Sequence, residues 1–136
     1  MTEISLDRGR RVLSEQPFSV LIGSQLEKLD DRGVELSLGL RPDHLQQHGF
    51  AHGGVVSYLA DNALTYAGGT VLGDSVTLEF KINYVRPAIG EKLIARAHVK
   101  AYGKSQAVCD CDVYALKDGA EKLCATAQGT IWKVGP

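Results

Sequence analysis

The sequence predicts an α+β domain in which a largely antiparallel sheet wraps around one long central helix. Three observations predict it. Apolar residues between positions 55 and 67 recur at helical spacing, and apolar residues before and after that segment alternate as in strands. Alanines occupy many inward positions of the late strands, which allows a sheet to approach a helix closely. The 136 residues fit a single domain, 1–136, without linkers or repeats.

The first third of the chain is predicted to hold two short helices and two strands. A helix over residues 3–15 has few apolar anchors, namely Ile4, Val12 and Leu13. Residues 17–29 ("PFSVLIGSQLEKL") predict a second short helix that leads into a first strand, which the turn at 30–33 ends. Alternation then predicts another strand, which Pro42 ends: Val34, Leu36, Leu38 and Leu40.

The central helix is predicted to run from Val55 to Ala67. Its apolar positions follow a period of 3.6 residues: Val56, Leu59, Ala60, Ala63, Leu64 and Ala67. Gly68 and Gly69 come directly after this pattern, where a glycine commonly ends a helix, so we expect them to close it.

Four strands in a meander are predicted to follow the central helix, the last two joined by a turn at Asp118-Gly119. Their alternating residues are Val76, Leu78, Phe80, Ile82 and Tyr84; then Leu93, Ala95, Ala97, Val99 and Ala101; then Ala107, Cys109, Cys111, Val113 and Ala115; and finally Leu123, Ala125, Ala127, Gly129 and Ile131.

Composition argues against several classes of partner. The net charge is −1, from 15 basic and 16 acidic residues, so neither nucleic acid nor a membrane surface is an expected partner. No apolar run approaches the length of a membrane span, and the charged N-terminus is unlike a secretory signal. Three cysteines, Cys109, Cys111 and Cys124, are expected to be buried free thiols, which favours a reducing, cytoplasmic location.

The stretch "QQHGFAHGGVVSYLAD" (46–61) sets glycines and histidines at the start of the central helix. One interpretation is structural: Gly53 and Gly54 permit a tight entry, and Asp61 lies on a solvated stripe. A second is a metal site, since His44, His48 and His52 recur every four residues, but the glycines among them disfavour the helix that would align the three rings.

A third interpretation uses the helix terminus itself. Amides of the first turn have no intrahelical partner, and at a glycine a carbonyl oxygen can approach such an amide unhindered. Asp61 would then supply the base or nucleophile. Gly53 and Asp61 are eight residues apart, about 12 Å along one helix, so they cannot both touch one carbonyl group. Two chains packed with these helices antiparallel would bring them together, which predicts a dimer.

The motif Gln46, Gly49, His52-Gly53-Gly54, Leu59 and Asp61 resembles the signature of hotdog-fold acyl-CoA thioesterases of the phenylacetate-degradation type. The resemblance extends through "VTLEFKINYVRPAIGEKLIARAHVKAYGKSQA" (76–107) and covers about residues 15–133. It implies a hotdog homodimer, paired further into a dimer of dimers, that hydrolyses acyl-CoA. No separate cofactor is implied, because coenzyme A is part of the substrate.

The resemblance also implies roles for single residues. Asp61 would attack the thioester or activate water, the Gly53 amide would polarise the carbonyl, and His52 would shape the turn. Gln46 stands where the family often has Asn, and Thr77 where relatives have Ser or Thr near the acid. Expected substrate or coenzyme A contacts are Gly54, Arg86, Lys104 and Ser105.

Two rival functions remain at this point, a non-catalytic acyl-CoA binding module and a histidine–metal hydrolase. The presence of Asp61 favours the enzyme over the binding module, which would need no acid there. The dehydratases on this fold carry a different arrangement of acid and histidine. The acyl group is open between aryl and medium-chain.

Overall fold

The computed structural model describes residues 5–135. The elements in chain order are α1 (Leu6–Ser14), α2 (Pro17–Ile22), β1 (Gln25–Asp30), β2 (Gly33–Gly39), α3 (Gly53–Leu72), β3 (Ser75–Tyr84), β4 (Lys92–Tyr102), β5 (Gln106–Lys117) and β6 (Ala120–Lys133), with one 3₁₀ turn at Pro42–His44. The predicted α+β class and the order of helices and strands are confirmed.

The strands form one antiparallel sheet of order β1-β2-β4-β5-β6-β3. The predicted meander is correct for β4, β5 and β6 but wrong for β3. Strand β2 occupies one side of β4 and β5 the other, so β3 pairs instead with β6 and becomes an edge of the sheet.

The core lies between the concave face of this sheet and α3. Buried residues on α3 include Leu59, Ala60, Ala63 and Leu64, and the predicted inward residues of β5 are all buried. The three cysteines are free and buried, as predicted. Small side chains on the late strands leave room for a helix to lie directly on the sheet.

Helix α3 is longer than predicted, because Gly68 and Gly69 do not end it. Both are buried within the last turns, and the helix continues to Leu72 before Gly73, whose φ of 82° is in the left-handed region. A Cβ atom on Gly68 would lie 2.6 Å from Ile131 Cγ2. Gly68 is therefore explained by close packing of the helix on β6, which outweighs the low helix propensity of glycine.

A β-bulge changes which residues of β3 face the helix. The pairing with β6 shifts between Thr77 and Glu79, so Thr77 lies on the helix side while Val76 and Leu78 are exposed. The predicted uniform alternation across β3 is wrong for this reason, since a bulge moves the following residues to the opposite face. A second shift, after Val99, likewise exposes the predicted inward residue Ala101.

The N-terminal helices are joined to α3 by side-chain hydrogen bonds. Leu13 is buried as predicted, whereas Val12 is exposed, and Ile4 lies outside the described residues. Tyr66 of α3 donates a hydrogen bond to the Gly9 carbonyl oxygen at 2.7 Å, and burial raises the pKa of Tyr66 to about 12.

Within residues 5–135, no helix has the length and apolar character that crossing a membrane requires.

Candidate active site

The N-terminus of α3 leaves one backbone amide without a partner. His52 is the N-cap residue, and its Nδ1 accepts a hydrogen bond from the Gly54 amide at 2.8 Å. The Val55 amide donates to the His52 carbonyl oxygen at 2.9 Å. Among the described residues, nothing accepts from the Gly53 amide. The first turn therefore presents one free N–H group, and it belongs to Gly53.

The loop before α3 is closed on itself and carries Gln46. Leu45 and Ala51 form an isolated β-bridge, and the Gln46 amide donates to the Phe50 carbonyl oxygen at 2.9 Å. Gln46 Oε1 accepts from the His48 and Phe50 amides. These bonds orient the side chain and leave its NH₂ group to donate, which fits a contact with a carbonyl oxygen or a water molecule.

Gln46 and Gly53 share an open cleft of about 400 Å³, with Arg86 also on its wall. Tyr84 lies on this wall too, and its hydroxyl donates to the Gly53 carbonyl oxygen at 3.0 Å. A Cβ atom on Gly53 would meet Tyr84 ring atoms at 3.5 Å. The Gly53 amide is thus presented beside a cavity large enough for part of a ligand.

Asp61 is held by two threonines. Thr77 Oγ1 donates to Asp61 Oδ1 at 2.6 Å, and Thr65 Oγ1 lies 2.7 Å from Thr77 Oγ1 and 2.9 Å from the Asp61 carbonyl oxygen. Because a carboxylate only accepts, the Thr77 proton points to Asp61, and Thr65 donates either to Thr77 or to the Asp61 backbone. Asp61 Oδ2 accepts no hydrogen bond from the described residues, so one carboxylate oxygen is oriented and the other is unoccupied.

Asp61 does not share the cleft with Gly53. Neither Asp61 nor Thr77 contributes to the cleft wall, and the eight-residue separation along α3 corresponds to about 12 Å. Within one chain, the structure therefore groups Gln46 with Gly53 and, separately, Asp61 with Thr77.

The expected coenzyme A contacts are also divided between two regions of the chain. Arg86 follows the C-terminal end of β3 and donates to the Leu123 carbonyl oxygen at 2.6 Å. Lys104 and Ser105 lie in the turn between β4 and β5, where the Ser105 carbonyl oxygen accepts from the Lys133 amide opposite the start of β3. A strand of ten residues separates these ends by about 30 Å, too far for one phosphate group to bridge.

The histidines do not converge on a common point. His44 is hydrogen-bonded through both ring nitrogens, to the Arg41 amide and the Ile22 carbonyl oxygen, and His52 Nδ1 is occupied by the Gly54 amide. Across residues 5–135, no group of three or more His, Cys, Asp or Glu side chains is arranged to hold a metal ion.

Two residues at these sites were missed by the sequence interpretation. Thr65 carried a usable signal, because a residue four positions after Asp61 lies on the same helix face. Tyr84 carried none, because its contact with Gly53 joins elements 31 residues apart.

An antiparallel sheet wrapped around one long central helix is the architecture of the hotdog-fold class. Comparison with known proteins agrees: a family model described as the thioesterase superfamily matches residues 48–122, more than half of the chain, and the chain belongs to that family. The protein is accordingly a thioester hydrolase with the hotdog fold.

Individual relatives span almost the whole chain. A candidate esterase of Saccharolobus solfataricus is 32% identical over 133 residues, covering 96% of this chain and 86% of the relative. A thioesterase family protein from Silicibacter pomeroyi is 34% identical with a TM-score of 0.89, covering 93% of this chain and 96% of that one. A mutant of the phenylacetic acid degradation protein PaaI from Thermus thermophilus is 31% identical with a TM-score of 0.76, covering 88% and 100%.

Proposed function

We propose that this protein hydrolyses aryl- or medium-chain acyl-CoA to the free acid and coenzyme A, as a thioesterase of the phenylacetate-degradation type. The observation that carries the proposal is the free Gly53 amide beside a cleft, combined with the Asp61 carboxylate on the same helix, which Thr77 of β3 orients. The enzyme works in the cytoplasm as a homodimer, paired further into a tetramer, and needs neither metal nor separate cofactor.

The active site is formed by two chains. Strand β3 is an edge strand of ten residues that exposes Val76, Leu78 and Tyr84, and an exposed apolar edge favours pairing with another strand. Antiparallel pairing of two β3 strands about a two-fold axis also sets the two α3 helices antiparallel. Gly53 of one chain then approaches Asp61 of the other.

The same symmetry supports the assignment of the coenzyme A contacts. Antiparallel pairing places the C-terminal end of one β3 beside the N-terminal end of its partner. Arg86 of one chain therefore lies at the same end as Lys104 and Ser105 of the other chain. A single coenzyme A could meet all three groups only in the dimer, where their positive charge and hydroxyl suit its phosphates.

Hydrolysis follows from these positions. The Gly53 amide and the Gln46 NH₂ group donate to the thioester oxygen, which becomes more negative as the tetrahedral state forms. In one route Asp61 of the partner chain takes a proton from water as the oxygen of that water bonds to the carbonyl carbon. The C–S bond then breaks, and the coenzyme A thiolate receives the proton.

In the second route Asp61 Oδ2 itself bonds to the carbonyl carbon and expels the thiolate. Water then opens the resulting anhydride, which releases the acid and regenerates the carboxylate, and the protons of that water pass to the coenzyme A thiolate and to solvent. The unoccupied Oδ2 suits either route, and both require that Asp61 be ionised and oriented by Thr77.

Asp61→Asn compared with Asp43→Asn tests this function. With short, medium, long and aryl acyl-CoA substrates and thiol release as the readout, Asp61→Asn should lower kcat at least about 10²- to 10⁴-fold. Asp43, exposed at the 3₁₀ turn, is the matched control and should leave turnover unchanged. Near wild-type turnover by Asp61→Asn would refute the mechanism, and a wild-type protein that binds acyl-CoA without turnover would support the binding module instead.

A further inference from the structure

We propose that His44 is a positioning residue for the reaction. It joins helix α2 to the loop that carries Gln46 and ends at Gly53. This inference rests on the proposed function, since it concerns where the Gly53 amide is held. Both ring nitrogens of His44 are already hydrogen-bonded to the protein, which suits a structural connection and not a metal ligand.

His44 is hydrogen-bonded at all four of its polar atoms although it lies in a connecting segment. His44 as a whole is buried, with 2% exposure. Nδ1 accepts from the Arg41 amide at 3.0 Å, and Nε2 lies 2.9 Å from the Ile22 carbonyl oxygen. Because that oxygen can only accept, Nε2 carries the ring proton and Nδ1 is free to accept, so both contacts need one neutral tautomer.

The backbone of His44 reaches the residue directly before Gly53. The His44 carbonyl oxygen accepts from the His52 amide at 2.8 Å, and the His44 amide donates to the Arg41 carbonyl oxygen at 2.9 Å. The loop from 44 to 52 is thus closed at its base by His44 and His52. A displacement of His44 is passed through one hydrogen bond to the N-cap of α3.

Helix α2 supplies the fixed end of this connection. Arg41 holds the same helix end from the exposed side, donating through Nη2 to the Leu21 carbonyl oxygen at 3.1 Å and through Nη1 to that of Ile22 at 3.0 Å. Since α2 has only six residues, its own hydrogen bonds fix it weakly, and these contacts fix its end to the loop.

The consequence is catalytic because the position of the Gly53 amide matters most in the transition state. A donor displaced by about 1 Å stabilises the developing oxyanion less, which can lower turnover on the order of 100-fold. Substrate binding depends on the cleft as a whole and on the basic groups, so it should change little. A residue with only a structural role would lower stability without this split between kcat and KM.

His44→Leu removes both ring contacts and fills the site with an apolar side chain of similar size. His44→Gln retains a donor that can reach the Ile22 carbonyl oxygen. His48→Leu is the matched control, because His48 is exposed in the same loop and its ring makes no hydrogen bond within the described residues. Arg41→Met loosens the same connection from the exposed side, and it provides the test if the buried variants do not fold.

The expected result for His44→Leu is a kcat lower by roughly 10- to 100-fold with KM within about twofold of wild type. His44→Gln should recover part of this loss, Arg41→Met should show a smaller loss of the same kind, and His48→Leu should show none. Amide hydrogen exchange at His52, measured without substrate, should accelerate at least about tenfold in His44→Leu.

Unchanged kcat in folded His44→Leu, or in Arg41→Met where the buried variants do not fold, would overturn the proposal, even if the melting temperature falls. Unchanged exchange at His52 would also overturn it, since the loop would then not depend on the ring. Failure of the proposed function gives a different result, namely a wild-type protein without thioesterase turnover.

Discussion

Replacing Gly53 by proline removes the one free amide hydrogen at the start of α3. The position suits the change, because Gly53 is the first helical residue and His52 before it is extended, with ψ at 137°. No intrahelical hydrogen bond is lost, since the Gly53 amide makes none. We therefore expect the fold and the proposed dimer to persist in Gly53→Pro.

Turnover should fall sharply in this variant. Loss of one oxyanion donor lowers kcat about 10²- to 10³-fold, equivalent to roughly 2.7–4 kcal/mol of transition-state stabilisation. Gly53→Ala is the matched control, because it keeps the amide hydrogen and its Cβ atom would meet Tyr84 at an ordinary 3.5 Å. Thiol release gives kcat and KM for both variants. A folded Gly53→Pro enzyme as active as Gly53→Ala would refute the role of the amide.

Three further predictions concern stability and reactivity. Gly68→Ala forces a Cβ atom to 2.6 Å from Ile131 and should lower the free energy of unfolding by about 1–2 kcal/mol in a urea titration, whereas Gly69→Ala, with its nearest neighbour at 3.8 Å, should not. A hydrogen bond from the buried Ser37 lowers the pKa of Glu27. The stabilisation that Glu27 gives the folded protein is therefore complete above its pKa in the unfolded chain, and it is lost as the pH falls through its pKa in the folded protein. Glu27→Gln should consequently lower the melting temperature at about pH 7 but not at about pH 3. Burial raises the pKa of Cys109 to about 12, so the three thiols should resist alkylation at about pH 8 until the protein is unfolded, and rapid native alkylation would contradict their burial.

Local patterns predicted the fold where each element follows from its own residues. The alternation in β5 and the helical spacing in α3 required no knowledge of neighbours, and both are confirmed. The place of β3 at the sheet edge and the bulge after Thr77 depend on pairing with β6, which no local pattern contains. The prediction that Gly68 ends α3 was wrong for the same reason. In sequence, a glycine that makes room for Ile131 cannot be distinguished from a glycine that ends a helix.

The candidate site shows the same division. Gly53, His52 and Asp61 were predicted from one short motif, and the structure gives each a geometry suited to its proposed role. The partners of these residues come from other elements, as with Thr65 and Thr77 or Tyr84, and only folding brings them together. Which chain supplies which half of the site depends on the proposed dimer, which a single chain does not encode locally.

Mixing two inactive variants tests the shared site most directly. In a dimer of one Asp61→Asn chain and one Gly53→Pro chain, the site that uses Gly53 of the first and Asp61 of the second is intact, and the other site carries both defects. Random assortment of equal amounts gives half mixed dimers, so co-refolding should restore about a quarter of wild-type turnover. Mixtures that stay as inactive as either variant alone, with mixed dimers shown to form, would contradict an active site built from two chains.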